Sequence, residues 1–408
     1  MRILASLIVI AGLAACGGGG GSVTEPRVGS AACENDGQKQ FVLDNLYAWY
    51  LWNDLLPDDI DINDYASPEE LIVRVTQDFG PRDANDQPID RFSFVRSLQS
   101  DRDFLGDGTL GEIFGFSYRF IDDAATDFRI VRVFSGSPAG DGGLERGQRI
   151  LTLNGRSVAE IAGSEGVAAF FSDNNTVDFE IEREGTNDFT AITKAVVTID
   201  PLPQWRLIDR GEGVAAVGYM QLDSFISTAD PVFDTVFADF KAAGVNDVII
   251  DMRYNGGGLL STAYLLGDYL GGLIADNLVF SRTEFNADRA AANNGAEFFE
   301  RRGNSVSLSQ FVVIATRSTA SASELVTNGM LPYADTAIVG DRTSGKPVGQ
   351  IGLGFCDKIM RPTSFRYSNA DGATGFFDGL PVDCAAPDDL NTAIGADDDP
   401  NLIAALSY

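Results

Sequence analysis

The sequence predicts a multidomain α/β protein with a helical segment over residues 35–104, a β-rich segment over 105–200 and a core of alternating strands and helices over 201–408. Three patterns carry that expectation. In the first segment Phe41, Leu43, Leu46, Trp49, Tyr50 and Trp52 recur at roughly helical spacing, and Leu71, Ile72 and Val75 follow after a break. A small N-terminal helical bundle fits this pattern. In the second, between about Gly111 and Ile199, short β-rich runs alternate with Gly and Pro turns. From Gly218 the pattern changes again: Val248 to Ile250 and Phe311 to Ala315 read as buried strands, while Leu259 to Leu270 and Glu324 to Leu331 read as helices.

Within the helical segment Ser67, Pro68 and Glu70 supply an N-cap, a first-turn proline and a capping-box glutamate for a second helix. The acidic run Asp59, Asp61, Asn63 and Glu70 has the oxygen spacing of a calcium loop, but Asp64 stands where the sharp turn needs Gly. A solvated helix connector explains the run better, and no metal or cofactor is expected.

The charge excludes much. Thirty Lys plus Arg stand against 59 Asp plus Glu, a formal net charge of −29, and there is no histidine. Without imidazole there is no Ser-His-Asp or Cys-His catalytic set and no His metal ligand. The acidity also disfavours nucleic acid and anionic membrane surfaces as partners.

The chain starts with Arg2, an apolar run from Ile3 to Leu13, and then Ala14, Ala15 and Cys16. Such a run rises about 16 Å as a helix, roughly half a bilayer core, so residues 1–15 read as a signal peptide and not an anchor helix. The stretch resembles a bacterial lipoprotein lipobox, which implies lipidation of Cys16, with 16–34 as a Gly-rich tether. That resemblance implies a lipid-anchored protein of the cell envelope, and Gly17 after the cysteine points to the periplasmic face of an outer membrane. Cys33, Cys356 and Cys384 remain. Cys356 and Cys384 would close a segment rich in Gly and aromatics; Cys33 could equally pair with one of them, and an odd thiol is left.

The chemistry concentrates in three places. The strand from Phe311 runs into Thr316 and on to Ser321 and Glu324, so Ser321 sits between a buried strand and a helix N-terminus, where backbone amides favour negative charge. Ser321 and Glu324 also spell an ordinary capping box. A serine nucleophile without histidine needs another base, such as a lysine whose pKa burial has lowered. Lys346 has few charged neighbours in sequence, and Gln350 shares its face in an extended segment. Gly340, Gly345 and Lys346 partly match a phosphate-binding loop, but Pro347 replaces the Ser or Thr that would bind magnesium. The third place is the glycine turn Asn255 to Gly258, after the strand ending at Ile250, which lets backbone N–H groups approach a reacting carbonyl.

Two resemblances follow. The run from Phe128 through "GSPA" at Gly136–Ala139, "GL" at Gly143–Leu144 and "NG" at Asn154–Gly155 resembles a PDZ domain, with Gln148 in place of its usual acidic residue. Phe114, Gly115 and Phe116 would then form the loop that holds a terminal carboxylate while an extended peptide adds to a sheet edge. The order of helical segment, PDZ-like module, "VGYMQLDSF", "DMRYNGGG", "STASASELV" and "GKPVGQ" resembles the C-terminal processing peptidases, or tail-specific proteases, across essentially the whole mature chain. In that family a serine and a lysine 25 residues later form the dyad, the separation of Ser321 and Lys346.

The resemblance implies a crotonase-like α/β core and a serine endopeptidase acting on proteins captured by apolar C-terminal tails. Ser321 would be nucleophile, Lys346 general base, Gln350 its orienting partner, Gly257 and Ala322 the oxyanion hole, and Glu324 a supporting residue. Pro347 and Gly256 depart from the family's usual "GKG" and "NPGG". The competing reading is a non-hydrolytic, PDZ-type tail-binding lipoprotein with a vestigial dyad.

Overall fold

In the computed structural model, residues 30–183 and 185–408 are described. The signal segment, Cys16 and the run Gly17 to Gly21 lie outside them. The centre of the molecule is a six-stranded sheet in the order Gln204–Ile208, Val217–Gln221, Asp247–Asp251, Gln310–Ala315, Asp335–Gly340 and Cys384–Ala385. The first pair is antiparallel and every later pair parallel. Parallel strands covered on both faces must be apolar throughout, and Val248 to Ile250 and Phe311 to Ala315 are buried along their whole length. These are the strands expected from sequence, each extended by a residue or two.

One face of the sheet is covered by the helices Asp230–Ala242, Leu260–Gly271 and Ala322–Met330, whose apolar residues join one large core. In the first of these Phe233, Val236, Phe237 and Phe240 fall at helical spacing and are all buried. The other face packs Tyr219, Ile249, Val312, Ile314 and Val339 against Leu402 and Ala405 of the C-terminal helix Pro400–Ser407. A four-stranded antiparallel sheet, Gly295–Phe298, Val279–Phe285, Thr363–Ser368 and Val348–Gln350, adds Phe280 and Tyr367 to the core on the three-helix side.

The N-terminal helices Asn35–Trp49 and Pro68–Phe79 pack on each other, and the second starts at the expected N-cap: Ser67 Oγ accepts from Glu70 N at 3.2 Å, while Glu70 Oε2 accepts from Ala66 N at 2.7 Å, one residue before the amide that a capping box uses. Their core is closed by Phe355 and Met360, which come from a hairpin late in the chain. That hairpin, Leu353–Phe355 and Lys358–Arg361, pairs in turn with Phe94–Ser97. The β-rich segment forms an antiparallel sheet from Phe116–Phe120 at one edge to Thr186–Thr193 at the other, covered by short helices that include Val167–Asp173. Among the described residues no helix is long and apolar enough to cross a membrane.

The disulfide corrects one expectation. Cys33 bonds Cys356, with their Cα atoms 5.7 Å apart, and Cys384 keeps a free thiol. The reason is positional. Cys384 belongs to the last strand of the central sheet, whereas Cys356 occupies the tip of the hairpin that packs on the N-terminal helices.

A buried ionic network lies under the glycine turn. Arg253, 2% exposed, donates to Asp251 Oδ2 at 2.6 Å and Asp399 Oδ2 at 2.5 Å, and Tyr219 Oη donates to Asp251 Oδ2 at 3.2 Å. Arg146 of the β-rich segment extends the network to Tyr254 Oη at 2.8 Å and Asp388 Oδ1 at 2.6 Å. Removing the central cation strands two buried carboxylates. Arg253→Met is therefore expected to lower the unfolding free energy by about 3–5 kcal/mol, read by urea denaturation.

Candidate active site

Ser321 is the hinge between the strand Gln310–Ala315 and the helix Ala322–Met330. Its backbone has φ 57° and ψ −113°, a conformation that costs a non-glycine residue about 1–3 kcal/mol and needs support from its surroundings. Support comes from the neighbouring strand end. Ala320 N and Ser323 Oγ both donate to Asn255 O, at 3.0 and 3.1 Å, and Thr319 Oγ1 donates to Met252 O at 2.7 Å. The helix that follows is buried throughout, while Ser321 itself is only half-buried.

Glu324, fully buried, ties the Ser321 segment to the Lys346 segment. Its Oε2 accepts from Ser321 N and from Lys346 N, each at 2.8 Å, and its Oε1 accepts from Gly345 N at 2.7 Å and Thr343 Oγ1 at 2.5 Å. The two amide nitrogens thus lie within two hydrogen-bond lengths of each other. Tyr367 makes a second tie: its hydroxyl faces Ser321 O at 3.1 Å and Lys346 O at 2.8 Å. Burial raises the Glu324 carboxyl above its ordinary range, with Thr343 and the three backbone donors pulling it back.

Lys346 is half-buried as a residue, but its amine is deeply enclosed. Nζ donates to Gln350 Oε1 at 2.6 Å. Gln350 cannot turn its amide over freely, because Nε2 donates to Phe92 O at 2.7 Å and Arg361 O at 2.8 Å. The pairing expected from their shared face is present. Loss of hydration lowers the Lys346 amine from 10.5 to about 8; nearby Asp90 and Glu324 oppose the shift and Arg361 assists it. A substantial neutral fraction near neutral pH is what a base for a serine hydroxyl requires.

The glycine turn differs from expectation in one respect. Gly257 N–H donates to Asn255 Oδ1 at 2.9 Å, because Asn255 Nδ2 is fixed on Leu222 O at 2.9 Å and its oxygen is thereby aimed at Gly257. That amide is therefore already bonded within its own turn. The requirement for glycine is steric: at φ 102°, a Cβ on Gly257 would lie 2.8 Å from Ser321 Cβ and 3.0 Å from Ala322 N. Ala322 N, at the first position of its helix, has no carbonyl one turn earlier within the helix to bond and lies beside this gap.

Phe114, Gly115 and Phe116 are brought together in the β-rich segment, apart from the residues that enclose Ser321. The Phe114 ring is buried, and the carbonyls of Phe114 and Gly115 accept from Ala139 N at 2.8 Å and Phe134 N at 2.9 Å. Between this segment and the core lies a cleft of about 920 Å³, bordered by Tyr118, Arg132, Tyr254 and, three residues before Ser321, Ser318. Sequence reasoning missed Tyr367, Asp90, Phe92 and Arg361. Only the Asp-x-x-Ser turn of Asp90 to Ser93 carries a local signal, and it reads as a common side-chain-capped turn.

Comparison with known proteins accords with this geometry. Residues 216–385 match peptidase family S41, and residues 37–94 match the peptidase S41 N-terminal domain. The carboxyl-terminal-processing protease of Synechocystis is 27% identical over 243 residues, 58% of this chain and 54% of that protein. The carboxy-terminal processing protease CtpA of Bacillus subtilis is 23% identical over 254 residues, 62% of this chain and 52% of that protein. The chain thus spans about half the length of these curated relatives. A crystal structure of a putative S41 protease from Bacteroides fragilis has the same fold, with a TM-score of 0.71 and 24% identity over 90% of this chain and 96% of the other. With both the core and the N-terminal domain matched, the chain belongs to peptidase family S41.

Proposed function

We propose that the protein is a serine endopeptidase that cleaves polypeptides captured by their C-terminal tails, with Ser321 as nucleophile and Lys346 as base. The observation that carries this reading is the joint anchoring of the two residues on Glu324 Oε2, beside an amine that titrates near 8. Neutral Lys346 takes the Ser321 hydroxyl proton as Oγ bonds to the scissile carbonyl carbon. The oxyanion that forms is met by Ala322 N–H. The C–N bond then breaks, and the Lys346 ammonium returns its proton to the leaving amine. In the second half water attacks the ester, gives its proton to Lys346, and that proton returns to Ser321 Oγ as the acid leaves. Gln350 keeps the amine aimed throughout. Gly257 N–H could join the oxyanion hole only by leaving Asn255, a peptide rotation that consecutive glycines permit.

The β-rich segment is read as a PDZ-like module. Its strand Phe116–Phe120 is an edge of the sheet, and Phe116 and Tyr118 lie 5.6 and 5.7 Å from the Phe171 ring of the helix Val167–Asp173. An unpaired edge beside aromatic rings supports the addition of an extended apolar tail. The 920 Å³ cleft, which reaches Ser318, supports a route for such a chain past this edge. Lipidation at Cys16 would hold the enzyme at the envelope, on the periplasmic face of the outer membrane.

The deciding experiment mixes soluble protein starting at Ser22 with an unfolded polypeptide ending in apolar residues. The parent is expected to cleave it, and Ser321→Ala and Lys346→Ala to be slower by at least about a thousandfold. Tail binding without cleavage by the parent would favour the binding lipoprotein instead. The rate should rise with pH and level off above about 8 as Lys346 loses its proton.

Stability supplies a further check. A lysine whose folded pKa lies below its unfolded value destabilises the fold at low pH, and that cost fades as pH rises from about 8 to 10.5. Lys346→Met is therefore expected to be more stable than the parent at pH 7 by about 1–2 kcal/mol and to lose this advantage above pH 10. Metabolic labelling with a fatty acid should mark the full chain and leave Cys16→Ser unlabelled.

A further inference from the structure

The Lys346 amine is enclosed in part by residues far from it in sequence. Phe92 supplies two contacts: its carbonyl accepts from Gln350 Nε2 at 2.7 Å, and its ring centre lies 5.3 Å from Lys346 Nζ. Arg91 beside it donates to Ser344 O at 3.1 Å. The turn that presents these groups is shaped by Asp90, a fully buried carboxylate. Its Oδ1 accepts from Phe92 N at 2.9 Å, Ser93 N at 3.2 Å and Thr363 Oγ1 at 3.0 Å, and its Oδ2 accepts from Ser93 Oγ at 2.6 Å. Ser93 Oγ in turn accepts from Thr363 N at 2.9 Å. The segment 90–93 is thus sewn onto the strand Thr363–Ser368 and forms one wall of the lysine site.

We propose that Asp90 and Phe92 are positioning residues for the Lys346 base: Phe92 shields the amine from water and fixes Gln350, while Asp90 holds Phe92 in place and sets a negative charge near the amine. The catalytic site is then completed by the N-terminal segment and is not a property of the core alone. This rests on the peptidase reading for its functional meaning, but its physical content is independent of cleavage. The charged groups that bear on the amine are Asp90, Glu324 and Arg361, and Arg361 is itself held by Asp101, at 2.8 Å from Nε to Oδ1.

The two residues have opposite signatures. Phe92→Ala removes the ring's attraction for the ammonium but lets water reach it; desolvation is the larger effect at this amine, so rehydration wins and the pKa rises. Asp90→Asn keeps an oxygen for Phe92 N and Ser93 N but removes the charge that favours the ammonium, so the pKa falls. Each shift should be on the order of one unit.

The chain has five lysines, so isotope labelling of lysine gives a spectrum in which Lys346 is assigned by its loss in Lys346→Ala. Titration of the folded parent, Phe92→Ala and Asp90→Asn by NMR reads the amine directly. An upward shift in the first variant and a downward shift in the second support the proposal. In cleavage assays the acid limb of kcat/KM should move in the same two directions.

Unchanged Lys346 titration in both folded variants, or shifts of the same sign, would overturn it. Phe92→Leu, which keeps part of the apolar cover, should lie between the parent and Phe92→Ala, and guards against a folding defect in the smaller variant. If the parent cleaves nothing, the NMR shifts still decide the positioning claim while the peptidase reading falls.

Discussion

One buried carboxylate organises the site. Glu324 accepts four donors, and two of them are the backbone amides of the serine and the lysine proposed to react together. Taking a carboxylate out of water is costly unless donors replace its hydration, so the fold must bring all four to one point. That constraint fixes the end of the central strand, the start of the helix after Ser321 and the loop from Thr343 to Lys346. Tyr367 repeats the tie through the two carbonyls.

The absence of histidine gives this architecture its logic. A serine hydroxyl needs a base that is partly neutral at working pH, and lysine becomes one only when its ammonium is poorly solvated. The fold supplies that environment from three parts of the chain: Gln350 four residues after the lysine, Arg361 and its carbonyl from the next hairpin, and Phe92 from the N-terminal segment. The hairpin also carries Cys356, whose bond to Cys33 fastens the N-terminal helices to it. The hairpin that helps to close the lysine site is therefore also the one stapled to the N-terminal helices.

Much of this was legible in residue order. The continuous apolar runs Val248 to Ile250 and Phe311 to Ala315 announced buried parallel strands, and a serine at the end of one of them announced a strand-to-helix corner. The Lys346 and Gln350 pairing followed from the period of an extended chain. The contributions of Tyr367, Asp90 and Phe92 were not legible, because each depends on contacts across tens to hundreds of residues. The choice between Cys384 and Cys33 as the partner of Cys356 stayed open for the same reason: spacing says nothing of which hairpin tip faces the first helix. Gly257 shows a subtler limit. Its place beside Ser321 was legible, but the direction of its N–H is set by the Asn255 side chain, whose rotamer depends on Leu222 O.

The central claim is that Lys346, as a neutral amine, activates Ser321. The most direct test is the rate at which a serine-reactive fluorophosphonate modifies the folded protein as a function of pH, with the modified residue identified by peptide mapping. The account predicts modification at Ser321 with a rate that rises through a single ionisation near 8, and its loss in Lys346→Ala. Modification that spares Ser321, or a Ser321 rate that rises only with an ordinary lysine near 10.5, would contradict it.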